Sequence, residues 1–141
     1  MIDLNNIFSN FENTDKETDD FSLLIDFSEH PLFWIGGFNK IINNCIFFKQ
    51  YTVKNWGITS PDLDIDEIAK VGEDLMFNRA WGYIKNIDVN NHFHMDCIKI
   101  KATELLIKSL EESIKHFESL EDYHKCALLT KIKNKVNEFL P

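Results

Sequence analysis

The sequence predicts an all-α, mainly helical fold: a single compact bundle of about five to six helices that ends in an antiparallel helical hairpin. Apolar residues recur at steps of three and four along most of the chain, as on the buried side of an amphipathic helix. Signals that begin helices precede several of these stretches. Only three prolines and five glycines are scattered through the 141 residues, so no linker divides residues 1–141, which we treat as one helical domain.

Composition favours a folded chain in a reducing compartment. With 44% apolar residues and 12 phenylalanines, a chain of 141 residues can bury about 68% of the surface that its unfolded form exposes. The three cysteines, Cys45, Cys97 and Cys126, are odd in number and lack close pair spacing, which argues against a disulfide framework. Neither a signal peptide nor a membrane-spanning run of ~20 apolar residues can be drawn, so we expect a cytoplasmic protein.

Apolar spacing places the first elements. A short amphipathic helix is predicted near residues 2–12, and the apolar residues of 21–27 predict a short element that is either helix or strand. Pro31 suits the first position of a central buried helix. The inward side of that helix contains Trp34, Phe38, Ile41, Ile42, Cys45 and Phe48. Gly36 and Gly37 inside it indicate close packing or a kink, in preference to an anion-binding nest, because a phosphate loop would carry further glycines and a Lys-Ser/Thr pair.

The middle of the chain alternates between loop and helix signals. Residues 51–59 are predicted to form a loop, and Ser60-Pro61-Asp62 is typical of a helix start. Gly72 is a candidate break before a second apolar stretch. The residues predicted to face inward are Leu63, Ile68 and Val71 before that break and Leu75, Met76, Ala80, Trp81 and Ile84 after it.

Two helices are predicted to close the chain as a hairpin. Residues 88–91 indicate a turn, and residues 92–97 could form a short strand, near 92–98, or begin a helix. The helical option continues through an apolar stripe from Ala102 to Phe117. A capping box with Asp122 in place of the usual Glu would then start the last helix at Ser119. The predicted buried side of that helix comprises Leu120, Tyr123, Ala127, Leu128, Ile132, Val136 and Phe139.

The net charge of −8 is concentrated in the first half of the chain. Residues 1–78 carry 14 acids against five lysines, giving −9, whereas residues 79–141 carry nine acids against ten bases, giving +1. Such an acidic half repels nucleic acid, since phosphate binding needs clustered Lys and Arg. The alternative to a binding surface is a solvated face that only maintains solubility.

The candidate partner-binding residues follow from this asymmetry. The acidic candidates are Asp15, Glu17, Asp19, Asp20, Asp62, Asp64, Asp66, Glu67, Glu73 and Asp74. Complementary charge accelerates association with a basic protein. Trp56, in the predicted loop, is either a core residue or an exposed interface anchor, and tryptophan is enriched among the residues that dominate interface energies.

Catalytic, cofactor and metal motifs are not recognised in the sequence, so we predict neither an enzyme nor a cofactor. The segment His92-x-His94-x-Asp96-Cys97 could present metal ligands on one side of a strand, but a zinc site needs three or four converging ligands and no second cluster follows. Cys45, Cys97 and Cys126 are expected to be inert thiols, since they lie within or beside apolar helical stripes.

In overall character the chain resembles the immunity proteins of bacterial toxin–antitoxin systems, particularly those of contact-dependent growth inhibition. It is short, acidic, motif-free and rich in Ile, Asn, Lys and Phe. The resemblance implies a cytoplasmic inhibitor that binds one toxin domain, often a nuclease, and blocks its active site or substrate-binding surface. It supplies no fold and no individual site residues.

Three hypotheses follow. The leading one is an immunity protein whose acidic residues in 1–78 bind a basic toxin domain encoded nearby, with no nucleic-acid or membrane partner. The second is a helical adaptor or regulatory subunit that recognises a cellular protein through an apolar groove. The third is a small metal enzyme that uses His92, His94 and Asp96.

Overall fold

The computed structural model describes residues 27–59 and 65–141, with side chains described for 27–51 and 66–141. This part of the chain is all-α, as predicted. Its helices are α1 (Pro31–Thr59), α2 (Ile65–Ile84), α3 (His92–Lys101), α4 (Glu104–Ser119) and α5 (Tyr123–Phe139). The helix predicted near residues 2–12, the element at 21–27 apart from Phe27, and the Ser60-Pro61-Asp62 start lie outside the described residues.

Helix α1 begins at Pro31, as predicted. The backbone N–H of Trp34 donates to the carbonyl of His30, and His30 Nδ1 accepts from the N–H of Leu32, so the residue before the proline caps the helix. The buried side carries Ile35, Phe38, Ile42 and Cys45. The predicted loop at 51–59 is wrong, because α1 continues to Thr59. Gly57 costs the helix about 1 kcal/mol but does not end it, and the next proline comes only at position 61.

Helix α2 runs antiparallel to α1. Lys49 pairs with Glu73 across the two helices, and further along Gly37 lies against Tyr83. The helix is continuous through Gly72, so the predicted break there is wrong: a Cβ on Gly72 would meet the Phe48 ring at 3.8 Å, an ordinary contact.

The two glycines of α1 differ in what surrounds them. A Cβ on Gly37 would lie 3.3 Å from the Tyr83 ring, tighter than an ordinary contact, whereas one on Gly36 would meet nothing within 4 Å. Close packing, one of the two predicted reasons for the glycine pair, therefore holds for Gly37.

The predicted turn at 88–91 leads into α3, a helix, so the strand alternative at 92–98 is wrong. The Asp88 carboxylate accepts from the N–H of Asn90. Asn91 is the N-cap of α3, and its side chain accepts from the N–H groups of Phe93 and His94, which commits the following residues to a helix.

A break at Ala102 and Thr103 divides the predicted carboxyl-terminal stripe into α3 and α4. Thr103 is extended and its hydroxyl accepts from the N–H of Leu106, so this residue caps a new helix. Leu105, predicted to be part of the buried stripe, is 52% exposed because it lies in the first turn of α4. Ser109 instead enters the interior and donates to the side chain of Asn39 on α1 at 2.6 Å.

Helices α4 and α5 form the predicted antiparallel hairpin, but the turn differs from the prediction. Ser119, predicted to start the last helix, is the final residue of α4. The last helix, α5, starts at Tyr123. Asp122 makes no side-chain capping bond, so the predicted capping box is wrong. The N–H groups of Glu121 and Asp122 donate to the carbonyls of Glu118 and Phe117, and Glu121 has φ 58°. This is a Schellman closure with Glu121 in the left-handed position.

The core lies where α1, α2, α4 and α5 face one another, with α3 packed on α1 and α5. On α5 the buried residues are Cys126, Leu129, Ile132 and Val136. Leu120, Tyr123 and Ala127, predicted to be buried, are exposed, because Leu120 lies in the turn before α5 and the other two face away from the side that carries Cys126 and Leu129. Within the described residues, no helix is long and apolar enough to cross a membrane.

Candidate functional site

The predicted partner-binding acids of α2 divide between two environments. Asp66 and Glu67 are exposed in the first turn, where their charge also favours the positive end of the helix dipole. Glu73 and Asp74 are partly buried and turn towards α4. Trp56 lies within α1 instead of a loop, and its side chain is not among those described. The remaining candidates, Asp15, Glu17, Asp19, Asp20, Asp62 and Asp64, lie outside the described residues.

The outer face of α2 carries apolar side chains that the sequence predicts to be buried. Ile68 is 39% exposed, Val71 55% and Leu75 68%. Steps of three and four residues place all three on one side of the helix. Helix α2 uses its other side, with Phe77, Ala80 and Ile84, for the core. The exposed side is called the α2 stripe below, and it is defined by Ile68, Val71 and Leu75.

Glu73, Asp74 and His116 meet where α2 faces α4. The Glu73 carboxylate lies 3.6 Å from Nζ of Lys49 and 4.0 Å from Nδ1 of His116. Nε2 of His116 lies 3.3 Å from Oδ1 of Asp74, but the geometry does not make a hydrogen bond, and this buried nitrogen has no hydrogen-bond partner among the described residues. His116 is 9% exposed and stacks on Phe77, with ring centroids 4.3 Å apart and planes 9° apart.

This environment keeps the imidazole neutral at pH 7. Burial lowers the pKa of His116 below its ordinary value of 6.5, since a charged ring loses its hydration there. Lys125 and Lys49 act in the same direction, and the carboxylates of Asp74 and Glu73 oppose them without reversing the shift. A neutral imidazole can accept a hydrogen bond on one nitrogen.

An open cleft of about 390 Å³ lies over His116. Its charged walls are Lys49, Lys70, Glu73, Asp74, Glu112 and Lys115. Three cations therefore face three anions, and ion pairs such as Lys49–Glu73 and Lys115–Glu112 link some of them. A smaller cleft of about 260 Å³ shares Lys49, Glu73 and Glu112 and reaches Cys45. Because the cations and anions of the lining are equal in number, the cleft does not favour a free ion of one sign. A charged side chain of another protein could instead replace one member of an ion pair.

The cysteine thiols are buried and protonated. Burial raises the pKa of Cys45 to about 11, with Glu73 adding to the effect. Burial likewise raises the pKa values of Cys97 and Cys126. None of the three is a thiolate at neutral pH, which agrees with their predicted inert character.

The candidate metal segment lies on α3. On a helix, His92 and Asp96 share a face because they are four positions apart, but His94 points in a different direction, so the three side chains do not converge. Nδ1 of His94 instead accepts from the N–H of Asp88 at 2.9 Å and fixes the preceding turn. Cys97 points into the core. Among the described residues, no group of three or more His, Cys, Asp or Glu side chains could hold a metal ion.

The surplus negative charge lies outside the described helices. Residues 27–59 and 65–141 contain 14 acidic and 14 basic side chains, so their net charge is zero. Residues 1–26 carry −6 and residues 60–64 carry −2, which accounts for the whole net charge of −8. The excess negative charge therefore belongs to these two segments and not to the first half of the chain as a whole.

The His116 cluster is the feature that sequence reasoning missed. His116 falls on the same helical stripe as Leu106, Ser109, Leu110 and Phe117. Its spacing from these residues was the available signal. The pairing with Glu73 and Asp74 depends on how α2 packs, which the spacing on α4 does not contain.

Comparison with known proteins adds no relative to this description: no family model matches the chain, and neither the curated proteins nor the solved structures give a match.

Proposed function

We propose that this protein is a neutralising partner of the immunity type, which binds a basic toxin domain and blocks its activity. The observation that carries the proposal is the outer face of α2, where Glu67 lies one turn before Val71 of the exposed α2 stripe, and Asp66 is exposed in the same first turn. An apolar centre with a charged rim is the usual anatomy of a protein interface.

The apolar part of this surface would supply affinity. Fully burying an aliphatic side chain contributes about 1.5–3 kcal/mol relative to leaving it exposed, and Val71 and Leu75 each leave more than half of their surface in water. Together with Ile68, these side chains form an apolar helix face that suits a partner with a shallow apolar surface.

The acidic part of this surface would raise the association rate with a basic partner and disfavour acidic ones. Asp62 and Asp64 immediately precede α2 in the sequence, so they extend the run of Asp66 and Glu67. Complementary potentials can raise association rates from about 10⁵–10⁶ to 10⁸–10⁹ M⁻¹s⁻¹ at low salt. A nuclease domain must bind phosphates with basic residues, and an acidic inhibitor competes for that surface.

The first test is genetic and biochemical. The product of the adjacent gene is expressed in a sensitive host with and without this chain, and growth is measured. We expect growth arrest without the chain and rescue with it, and the two products to co-purify. An adjacent product that is harmless, or that arrests growth equally with and without this chain, contradicts the proposal.

The second test addresses the acidic surface. Reversing Asp62, Asp64, Asp66 and Glu67 to lysine should slow association with the toxin domain by at least ~10-fold at low salt and flatten its salt dependence, because the steering field is lost. Stopped-flow or surface plasmon resonance measures both. The control reverses Asp96 and Glu118, which are exposed on α3 and α4. Unchanged kinetics in the quadruple variant would remove the acidic surface from the proposal.

A helical adaptor is the second candidate, and the α2 stripe itself favours it. An adaptor would bind through Val71 and Leu75 with little dependence on salt. Substitution of Val71 and Leu75 by Asp should then abolish binding while the charge reversal has no effect, and the immunity hypothesis expects both changes to weaken it.

A further inference from the structure

A third cleft lies between the end of α2 and the start of α5, away from the acidic run. Its volume is about 510 Å³ and its floor is formed by Trp81 and Leu128. Lys85, His124, Lys125 and Lys131 surround this floor. The name Trp81 cleft is used for this site. Its lining contains no carboxylate among the described residues, in contrast to the cleft over His116.

One cation of the Trp81 cleft is held in a fixed position. Nζ of Lys125 lies 5.7 Å from the ring centroid of Trp81 and 4.8 Å from that of Phe117, and it pairs with Asp122 at 3.2 Å. The ammonium group thus stands against the indole as a cation–π contact. Lys85, in the turn that follows α2, and Lys131, on α5, are exposed and line the same cleft.

The cationic character of the Trp81 cleft rests on Lys85 and Lys131. Asp122, the residue before α5, balances the charge of Lys125 through their ion pair. Lys85 and Lys131 line the same cleft, and none of the described lining residues is acidic. An anion is therefore the ligand charge that this lining favours.

We infer that the Trp81 cleft binds a small organic phosphate with a planar ring, of the nucleoside monophosphate class. The phosphate would lie between Lys85 and Lys131, and the ring would contact Trp81 and Leu128. A cleft of this volume is within the usual range for small-molecule sites, and phosphate and ring each have a complementary wall. The inference does not depend on the proposed protein partner.

Isothermal titration calorimetry of the purified full-length protein with AMP, adenosine and inorganic phosphate tests this inference at low ionic strength. We expect AMP to bind at least ~10-fold more tightly than either fragment, because only AMP uses both walls. Absence of AMP binding at millimolar concentration would overturn the inference. Equal affinity for inorganic phosphate would do the same, since the ring would then contribute nothing.

Matched variants locate the site. Lys131→Glu and Lys85→Glu should each weaken AMP binding by at least ~5-fold through loss of a charge contact. Lys99→Glu makes the same charge change on α3, where the side chain is exposed, and should leave the affinity within about twofold. Circular dichroism verifies that each variant is folded. Equal weakening by Lys99→Glu would show a general charge effect and contradict the assignment to the Trp81 cleft.

Discussion

At the scale of single residues, His116 makes folding stability depend on pH. Its pKa is lowered in the folded state, so the unfolded chain binds the proton more readily. The stabilisation by neutral His116 is therefore complete above the unfolded pKa, near 6.5, and is lost as pH falls from there towards the folded pKa.

The variant His116→Phe should have a smaller loss of stability than the natural chain between pH 7.5 and 5.5. A phenyl ring keeps the stack on Phe77, removes the unpartnered nitrogen and cannot titrate. Urea denaturation at both pH values measures the difference. His92→Asn, at an exposed position, is the control and should retain the pH dependence of the natural chain. An identical pH dependence in His116→Phe would show that His116 is not responsible.

The glycine pair of α1 gives a second prediction at this scale. Gly36→Ala should raise the free energy of unfolding by about 0.5–1 kcal/mol, the helix-propensity difference, because nothing lies within 4 Å of the new methyl group. Gly37→Ala should be less stable than Gly36→Ala by at least ~1 kcal/mol, since its methyl group would press on Tyr83. Equal gains in chemical denaturation would mean that the α1–α2 contact adjusts freely.

Individual residues also mark where sequence reasoning fails. The spacing of Ile68, Val71 and Leu75 is that of a buried helix side, and so is the spacing of Phe77, Ala80 and Ile84. Only the packing of α2 on α1 and α4 decides which of the two sides is covered. The burial of polar His116 depends on packing as well, because Phe77, on which its ring stacks, comes from α2.

At the scale of elements, local signals succeeded where a cap or a stripe dominates. Pro31 marked the start of α1, and apolar spacing predicted the α4–α5 hairpin. Boundaries were less predictable. Thr103 divides α3 from α4 by capping, although the apolar stripe continues across it. Residues 51–59 contain no proline, so the helix continues through polar residues that resemble a loop in sequence.

The α4–α5 turn carries a prediction of its own. Glu121 occupies the left-handed region, which costs an ordinary L-residue roughly 1–2 kcal/mol. Glu121→Gly should therefore stabilise the protein by about 0.5–1 kcal/mol, after the greater freedom of glycine in the unfolded chain is subtracted. The matched control Glu118→Gly, inside α4, should destabilise it by about 1 kcal/mol. A loss of stability in Glu121→Gly, measured by urea denaturation, contradicts the Schellman closure.

At the scale of the whole molecule, the net negative charge is confined to residues 1–26 and 60–64. The described helices are neutral in sum, and two of their clefts differ in charge: the cleft over His116 is lined by ion pairs, and the Trp81 cleft is lined by cations. The sequence predicted an acidic binding protein from its total charge. It could not predict the Trp81 cleft, because Lys85 and Lys131 lie 46 positions apart and meet only through the packing of α2 and α5 on α4.

The confinement of the surplus charge to residues 1–26 and 60–64 makes two properties of the chain separable. Substitution of the acidic residues in these 31 positions changes the net charge and leaves the sequence of the described helices unaltered. Substitution of uncharged residues in the helices changes packing and leaves the net charge unaltered. Net charge and helix packing can therefore be varied at different positions of the chain.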